Sequence, residues 1–99
     1  ILGIDKEQSI ILVGAGKLGS ALLGFEGFSK FDLRIIYAFD TDKNKIGRIK
    51  RGVRVLDLNS MQNIVARESV KVAIISTPPE VANDVAERLV RAGIKGILN

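Results

Sequence analysis

The sequence predicts an α/β fold built on a doubly wound parallel sheet. Short runs rich in Val, Ile and Leu alternate along the chain with segments of helical periodicity. A cluster of three glycines separates the first apolar run from the first helical segment. Because crossovers between parallel strands are right-handed, we expect the strand order 3-2-1-4-5, with a ligand crevice at the carboxyl ends of strands 1 and 4.

The five predicted strands are the apolar runs. Their nearly continuous Val, Ile and Leu content is typical of parallel strands that are buried on both faces. They cover residues 9–13, 33–39, 53–56, 70–76 and 95–98.

Four helices are predicted between these strands. The first covers residues 17–28 and the second, a short one, residues 43–51. Ser60 is expected to cap the third. The fourth is expected to begin at Pro79 and to stop at Gly93. Their predicted buried faces carry Leu18, Ala21, Leu22 and Phe25 in the first helix, Met61, Ile64 and Val65 in the third, and Val81, Val85 and Leu89 in the fourth.

Length and composition indicate one globular domain. The chain has 99 residues, of which 46% are hydrophobic and 26% charged, which is not the composition of a disordered segment. It contains no Cys, so neither a disulfide framework nor a thiolate metal site is expected. No apolar run reaches the roughly 18 residues of a membrane span, and the N-terminus lacks the apolar core of a secretory signal. We therefore expect a single cytoplasmic domain over residues 1–99, with no membrane or metal partner.

The net charge of +4 is scattered along the chain except in residues 43–51, which form a basic segment. We interpret this segment as a solvated helix face, because charged side chains are mostly exposed. Aromatic residues are scarce nearby, which argues against stacking on single-stranded bases.

A glycine-rich loop follows the first strand and matches the G-x-G-x-x-G pattern of dinucleotide-binding proteins. Gly14 permits a tight turn, Gly16 lets a pyrophosphate approach the backbone, and Gly19 lets the helix pack closely on the sheet. Amide groups at the start of the helix would face the phosphates. The alternative is a glycine turn that binds nothing. The loop consists of Gly14, Ala15, Gly16, Lys17, Leu18 and Gly19.

Asp40 ends the second strand, at the spacing of about 20 residues that is expected for the acidic ligand of an adenosine ribose. Its carboxylate would accept hydrogen bonds from ribose hydroxyls and repel a 2′-phosphate, which favours NAD(H) over NADP(H). Arg48, Lys50 and Arg51 lie downstream and would soften that discrimination. Alternatively, Asp40 is an ordinary turn residue. Asp42 is expected to cap the following helix.

Thr77 and Pro78 follow the fourth strand, in the segment Ser-Thr-Pro-Pro-Glu. This segment would form the far wall of the crevice and, in a dinucleotide site, would face the nicotinamide half. The alternative is a rigid turn before a helix that starts at Pro79. The two interpretations are compatible.

No catalytic set is apparent. The sequence contains no His and no Cys, and it shows no pair of carboxylates spaced for acid–base work. It also shows no cluster of metal ligands. Tyr37, the only tyrosine, falls in a predicted buried strand and is expected to be a core residue. These residues by themselves indicate a binding domain rather than an enzyme; a dehydrogenase would need its proton donor or acceptor outside them.

Five segments together resemble the Rossmann domain of the bacterial Rex redox-sensing transcriptional repressors. The resemblance covers nearly the whole chain. Its last segment is the most distinctive, whereas many Rossmann proteins share the glycine loop. The segments are VGAGKLGSALL at 13–23, AFDTDKNKIG at 38–47, GVRV at 52–55, STPPEVA at 76–82 and AGIKGILN at 92–99.

The resemblance implies a cytoplasmic homodimer that binds NADH and NAD+ competitively and releases operator DNA when NADH binds. It implies that the glycine loop holds the pyrophosphate, that Asp40 holds the adenosine ribose, and that Thr77 and Pro78 line the nicotinamide side. Rex proteins also carry an N-terminal winged-helix domain that binds DNA and a C-terminal helix that reaches into the partner subunit. We expect both to lie outside these 99 residues.

Two other functions are compatible with the same glycine loop. The chain would be the cofactor-binding half of an NAD-dependent dehydrogenase if a catalytic domain followed it. It would be a CoA-binding module like that of succinyl-CoA synthetase if a basic residue near the adenosine received the 3′-phosphate of CoA. Asp40 does not suit that phosphate.

Overall fold

The computed structural model of this chain describes residues 8–99. Residues 1–7, on which the prediction of a missing secretory signal depends, lie outside the described residues. No helix in the described part is both long and apolar enough to cross a membrane.

A six-stranded sheet forms the centre of the domain, in the order β3-β4-β2-β1-β5-β6. Its five parallel strands, β4, β2, β1, β5 and β6, reproduce the predicted order 3-2-1-4-5. The elements are β1 (Gln8–Val13), α1 (Lys17–Leu23), β2 (Leu33–Asp40), β3 (Ile49–Lys50), β4 (Val53–Asp57), α2 (Met61–Glu68), β5 (Val72–Ile75), α3 (Pro79–Ala92) and β6 (Gly96–Leu98), with 3₁₀ turns at Glu26–Phe31 and Leu58–Ser60.

The central strand β1 is buried on both faces, as its continuous apolar run predicts. Ile11 and Val13 face the core layer beneath α2 and α3, which includes Phe39. Ile10 and Leu12 face the opposite layer, where side chains of α1 and of the following 3₁₀ turn pack. The end of β1 is thereby fixed between two packed layers, and the glycine loop begins there.

The first helix is shorter than predicted. It ends at Leu23 and is followed by a 3₁₀ turn instead of continuing to residue 28. Gly24 and Gly27 lie in the predicted stretch and disfavour a continuous helix. Of the predicted buried face, Leu22 packs against the core. The other three predictions are wrong: Leu18 is 63% exposed, Phe25 is 57% exposed, and Ala21 is exposed as well.

The predicted helix over residues 43–51 is wrong. The segment forms a turn and then β3, which pairs antiparallel with β4. Arg51 and Gly52 connect the two strands and both have positive φ, 51° and 80°, as in a type I′ hairpin turn. Gly52 therefore marks a hairpin rather than a helix end. Asp42 accepts a hydrogen bond from the Asn44 N–H at 2.9 Å and so caps a turn, not a helix.

The last two helices begin close to the predicted residues, and the fourth predicted helix also ends where predicted. Ser60 precedes α2 but does not cap it with its side chain; its hydroxyl donates to the Asp57 carbonyl at 2.8 Å. Pro79 starts α3, and Gly93, with φ of 108°, ends it as predicted. Val81 was predicted to be buried but is 44% exposed, because it lies at the rim of a cavity.

Candidate functional site

A cavity of about 700 Å³ opens at the carboxyl ends of β1, β2 and β5. This is the predicted crevice, at the point where the strand order reverses. Of the residues predicted to bind a ligand, Gly14, Gly16, Lys17, Leu18, Asp40, Thr77 and Pro78 line the cavity. The side chain of Ala15 is in the core instead, and Gly19 is buried in α1.

Gly14 and Gly19 are required by the packing of the loop itself. Gly14 has φ of 105°, and an added Cβ would lie 2.9 Å from Ser76 Oγ. A Cβ on Gly19 would collide with the carbonyl oxygen of Gly14. The turn and the close approach of α1 to the sheet therefore both exclude side chains at these two positions.

Gly16 differs from the other two glycines of the loop. Its φ is −76°, which any residue adopts. An added Cβ would contact only Lys45 Nζ, at 3.8 Å. Because neither conformation nor packing requires glycine there, the open space beside Gly16 is available to a ligand that approaches the backbone.

Ser76 joins the glycine loop to the end of β5. Its hydroxyl lies 2.7 Å from the Gly14 carbonyl oxygen and 3.3 Å from that of Val13, within hydrogen-bond distance of both. Its backbone N–H donates to the Val13 carbonyl at 2.9 Å. Sequence reasoning did not single out Ser76, although its position directly after an apolar strand was a signal. Ser76 is thus a positioning residue that fixes the shape of the loop.

Asp40 is tied to the glycine loop through its carboxylate. One oxygen accepts the N–H of Ala15 at 2.8 Å, and the other accepts the N–H of Asp42 at 2.9 Å. Burial by itself raises the pKa of Asp40, but these hydrogen bonds and the positive charge of Lys45 outweigh it and hold the pKa below its usual value. Asp40 is therefore ionised at neutral pH and keeps lone pairs free for further donors.

Lys45 is a cavity residue that the sequence did not reveal, because its segment was predicted to be a helix. The turn after β2 places its ammonium group beside Gly16. Its Nζ lies 3.9 Å from a carboxylate oxygen of Asp42, in an exposed ion pair of small energetic weight. Lys45 thus brings a positive charge to the open side of the loop.

The wall opposite the loop contains a buried hydroxyl without a partner. Thr77 Oγ1 is inaccessible to solvent and makes no hydrogen bond within residues 8–99. Such a group is costly unless something satisfies it. On the same side of the cavity, Pro78 lines the wall and Val81 is exposed at the rim. The wall therefore offers one polar group among apolar side chains, as ligand sites commonly do.

Two further predictions concern chemistry. Tyr37 is half-buried and packs against the core beneath α2 and α3, which agrees with its expected structural role. Within residues 8–99, no group of three or more His, Cys, Asp or Glu side chains is arranged to hold a metal ion.

The sequence matches the family described as CoA binding domain over residues 5–99. The chain belongs to this family. Among its curated relatives, the redox-sensing transcriptional repressor Rex of Carboxydothermus hydrogenoformans is 42% identical over 99 residues. Rex 1 of Thermotoga maritima is 41% identical over 100 residues. Each alignment covers 100% of this chain and 48% of the relative, so the chain spans about half the length of these proteins.

Solved structures of a Rex-family repressor are also similar to this chain. This CoA-binding-family domain is similar to RSP, a Rex-family repressor, in complex with NADH, with a TM-score of 0.88 and 36% identity over 97% of this chain and 47% of RSP. The complex of RSP with NAD+ and operator DNA gives the same TM-score and identity, over 97% of this chain and 44% of that one. UDP-D-quinovosamine 4-dehydrogenase from Vibrio fischeri, at 13% identity, shares the fold alone. The predicted Rossmann-like fold and the resemblance to Rex repressors are confirmed.

Proposed function

We propose that this chain is the NAD(H)-sensing domain of a redox-responsive transcriptional repressor, in which NADH binding releases operator DNA. The observation that carries the proposal is the similarity to RSP, which has been solved both with NADH and with NAD+ and operator DNA. The cavity at the strand ends, with its open glycine loop, is the place where this chain would hold the dinucleotide.

The loop and Asp40 would bind the adenosine half. The pyrophosphate would lie in the open space at Gly16, against the backbone of Ala15 and the neighbouring Lys17 and Leu18. Gly14 and Gly19 would act indirectly, because they give the loop its shape. Each carboxylate oxygen of Asp40 already accepts one backbone N–H and retains capacity to accept a ribose hydroxyl.

The nicotinamide half would lie against the segment after β5. There the unpartnered Thr77 hydroxyl would meet a polar group of the ligand, and Pro78 would contribute apolar surface. The nicotinamide ring would report the redox state of the cell, because NADH and NAD+ differ in its charge and shape.

A regulatory role suits the side chains of the cavity better than catalysis. Within residues 8–99, Asp40 is the only carboxylate that lines it, and two backbone amides already hold that group. Operator DNA would be bound by a winged-helix domain outside these 99 residues, in a cytoplasmic homodimer. The length of the Rex relatives, about twice that of this chain, supports the presence of a further domain, but it does not bear on the dimer.

The alternatives receive less support. The dehydrogenase reported above shares 13% identity with this chain, against 36% for RSP. A CoA module would place a 3′-phosphate near the ionised Asp40, which repels it.

The test has two stages. Calorimetric titration of the purified protein with NADH, NAD+, NADPH and CoA should show the tightest binding for NADH. Full-length protein bound to operator DNA should then be released by NADH but not by NAD+. A preference for CoA, or an operator complex that ignores NADH, would overturn the proposal.

A further inference from the structure

We propose that Lys50 is a positioning residue for the dinucleotide: it holds the carbonyl group of Ala15 and thereby directs the N–H of Gly16 toward the pyrophosphate. The inference rests on the proposed function, because it takes the pyrophosphate to lie beside Gly16. It goes beyond that function, since Lys50 acts through the glycine loop and not by contact with the ligand.

Lys50 links the β3–β4 hairpin to the glycine loop. It is half-buried, and its Nζ donates to the carbonyl oxygen of Ala15 at 3.4 Å and to Ser20 Oγ at 3.1 Å. The Ser20 hydroxyl donates to the same carbonyl oxygen at 3.3 Å. Two side chains, one from the hairpin and one from α1, therefore hold a single backbone oxygen of the loop.

The register of the hairpin places Lys50 on the side of the sheet that carries α1. Lys50 lies opposite Val53, which packs against the core layer of Ile10 and Leu12. Directly opposed residues of an antiparallel pair project to the same face of the sheet, and successive residues project to opposite faces. The preceding residue, Ile49, is accordingly on the other face and is exposed. The pairing of β3 with β4 thus decides that Lys50 reaches the loop.

Ala15 is held from three directions. Its N–H donates to a carboxylate oxygen of Asp40 at 2.8 Å, and its carbonyl oxygen accepts from Lys50 and Ser20. Its side chain is fully buried in the core. Because backbone and side chain are both engaged, Ala15 has little freedom to rotate.

The peptide group between Ala15 and Gly16 transmits this restraint to the open side of the loop. It is planar and trans, so its C=O and its N–H point in opposite directions. Since the carbonyl group faces Lys50 and Ser20, the Gly16 N–H points away from them. Within residues 8–99, no backbone carbonyl accepts this N–H, and Gly16 lines the cavity. The N–H is therefore available to a ligand there.

A donor that is fixed before the ligand arrives binds an anion more tightly than one that must first be oriented. Preorganised N–H groups need no reorganisation when negative charge comes to lie against them. The two side chains that orient this peptide group differ in strength, because a hydrogen bond from an ammonium group is stronger than one from a neutral hydroxyl. Loss of Lys50 should consequently cost more affinity than loss of the Ser20 hydroxyl.

The experiment removes each of these two side-chain donors in turn. Lys50→Met keeps an unbranched side chain without N–H donors, and its NADH affinity should be about tenfold lower than that of the wild type. Ser20→Ala changes no charge, and its affinity should be about threefold lower. Calorimetric titration of the purified proteins with NADH measures both losses, and denaturation curves check that the variants are folded.

Two further variants are controls. Lys50→Arg retains N–H donors on a long side chain, so its affinity should stay within about twofold of the wild type. Lys43→Met removes the same charge from an exposed lysine that does not line the cavity, and NADH affinity should be unchanged. A loss in either control as large as that in Lys50→Met would overturn the inference.

The double variant Lys50→Met/Ser20→Ala separates action through the loop from direct attraction of the nucleotide. Side chains that share one carbonyl group are coupled, so the double variant should bind about as weakly as Lys50→Met alone. Losses that multiply to about thirtyfold would mean that Lys50 acts independently of this carbonyl, and the inference would be wrong.

The amide NMR signal of Gly16 reports its orientation in the ligand-free protein. This signal should shift in Lys50→Met and in Ser20→Ala, but not in Lys43→Met, because only the first two variants release the Ala15 carbonyl. A Gly16 signal that stays at its wild-type position in Lys50→Met would contradict the proposed coupling.

The outcomes distinguish this inference from the proposed function. If the wild type binds NADH and Lys50→Met binds it equally well, Lys50 is not a positioning residue, and the proposed function stands. If the wild type does not bind NADH, the proposed function is wrong, and this inference with it. If Lys50→Met does not fold, Ser20→Ala decides, and wild-type affinity in that variant overturns the inference.

Discussion

The glycine loop has a base, formed by Gly14 and Gly19, and an open side at Gly16. The two regions differ in how closely other parts of the protein pack against them. At the base, Gly14 and Gly19 face Ser76 and each other so closely that neither position has room for a Cβ. On the open side, a Cβ at Gly16 would contact only Lys45, at 3.8 Å. The base is determined by packing of the protein against itself, and the open side is free for a ligand.

One sequence motif therefore combines two physical requirements. Two of its glycines serve the fold and would be needed in a loop that binds nothing. The third has no structural reason to be glycine, and under the proposed function it leaves room for a ligand close to the backbone. Substitutions at the two regions should consequently affect different measurements.

Gly19→Ala should have the largest effect, and it should act on stability. The new methyl group would overlap the carbonyl oxygen of Gly14, so α1 would have to move away from the sheet. We expect the free energy of unfolding to fall by about 3 kcal/mol, as in severe overpacking. Urea denaturation measures it. Gly96→Ala is the control, since its Cβ would make an ordinary contact of 3.6 Å with Val72. A loss as small as the control's would contradict the distinction between base and open side.

Gly16→Val should act on binding instead. The variant should fold, because the position has ordinary φ and free space, but its side chain would occupy the region proposed for the pyrophosphate. We expect NADH affinity to fall about 100-fold or more, which corresponds to roughly 2.7 kcal/mol. Calorimetry measures the affinity, and a denaturation curve checks the fold. Unchanged affinity would mean that the loop is only a turn.

Asp40→Ala tests the proposed binding of the ribose, next to the open side of the loop. It removes the proposed ribose acceptor and also the partner of the Ala15 N–H. NADH affinity should fall about tenfold, the scale of lost charge-assisted hydrogen bonds. NADPH affinity should fall less, since the variant also loses the repulsion of the 2′-phosphate. Parallel titrations with the two dinucleotides measure this, and equal losses for both would remove Asp40 as a ribose ligand.

The smallest effect concerns the dependence of stability on pH. Because the pKa of Asp40 is lower in the folded chain than its ordinary value of 3.8, its ionised form stabilises the fold at neutral pH. That contribution is complete above the ordinary value and is lost as the pH falls through the lower, folded pKa. The difference in unfolding free energy between the wild type and Asp40→Asn should therefore shrink on acidification. Urea titrations at several pH values measure it, and a constant difference would contradict it.

The strand order and the place of the cavity could be predicted because they follow from local pattern and general topology. Apolar runs such as residues 9–13 mark buried strands, and right-handed crossovers restrict five such strands to a few doubly wound orders, of which the predicted one is observed. The positions of Asp40 and Thr77 in the wall of the cavity could be predicted for the same reason, since each follows a predicted strand at the edge of the sheet where the cavity opens.

The segment after β2 could not be predicted in the same way. Charged residues with a few apolar ones suit a helix face as well as a hairpin, and Gly52 suits either a helix end or a type I′ turn. Pairing of β3 with β4, a contact with another part of the chain, decides between them. The position of Lys45 beside the glycine loop was missed with it.

The sequence by itself determined the parallel sheet, the glycine loop at its centre and the acidic residue at the end of β2, because periodicity and spacing are local properties of the chain. Only the tertiary structure decided which glycines the fold requires and where the basic side chains lie. Those facts depend on distances between residues far apart in the sequence, such as Gly14 to Ser76 and Ala15 to Lys50. Such distances are set by packing, which no local pattern encodes.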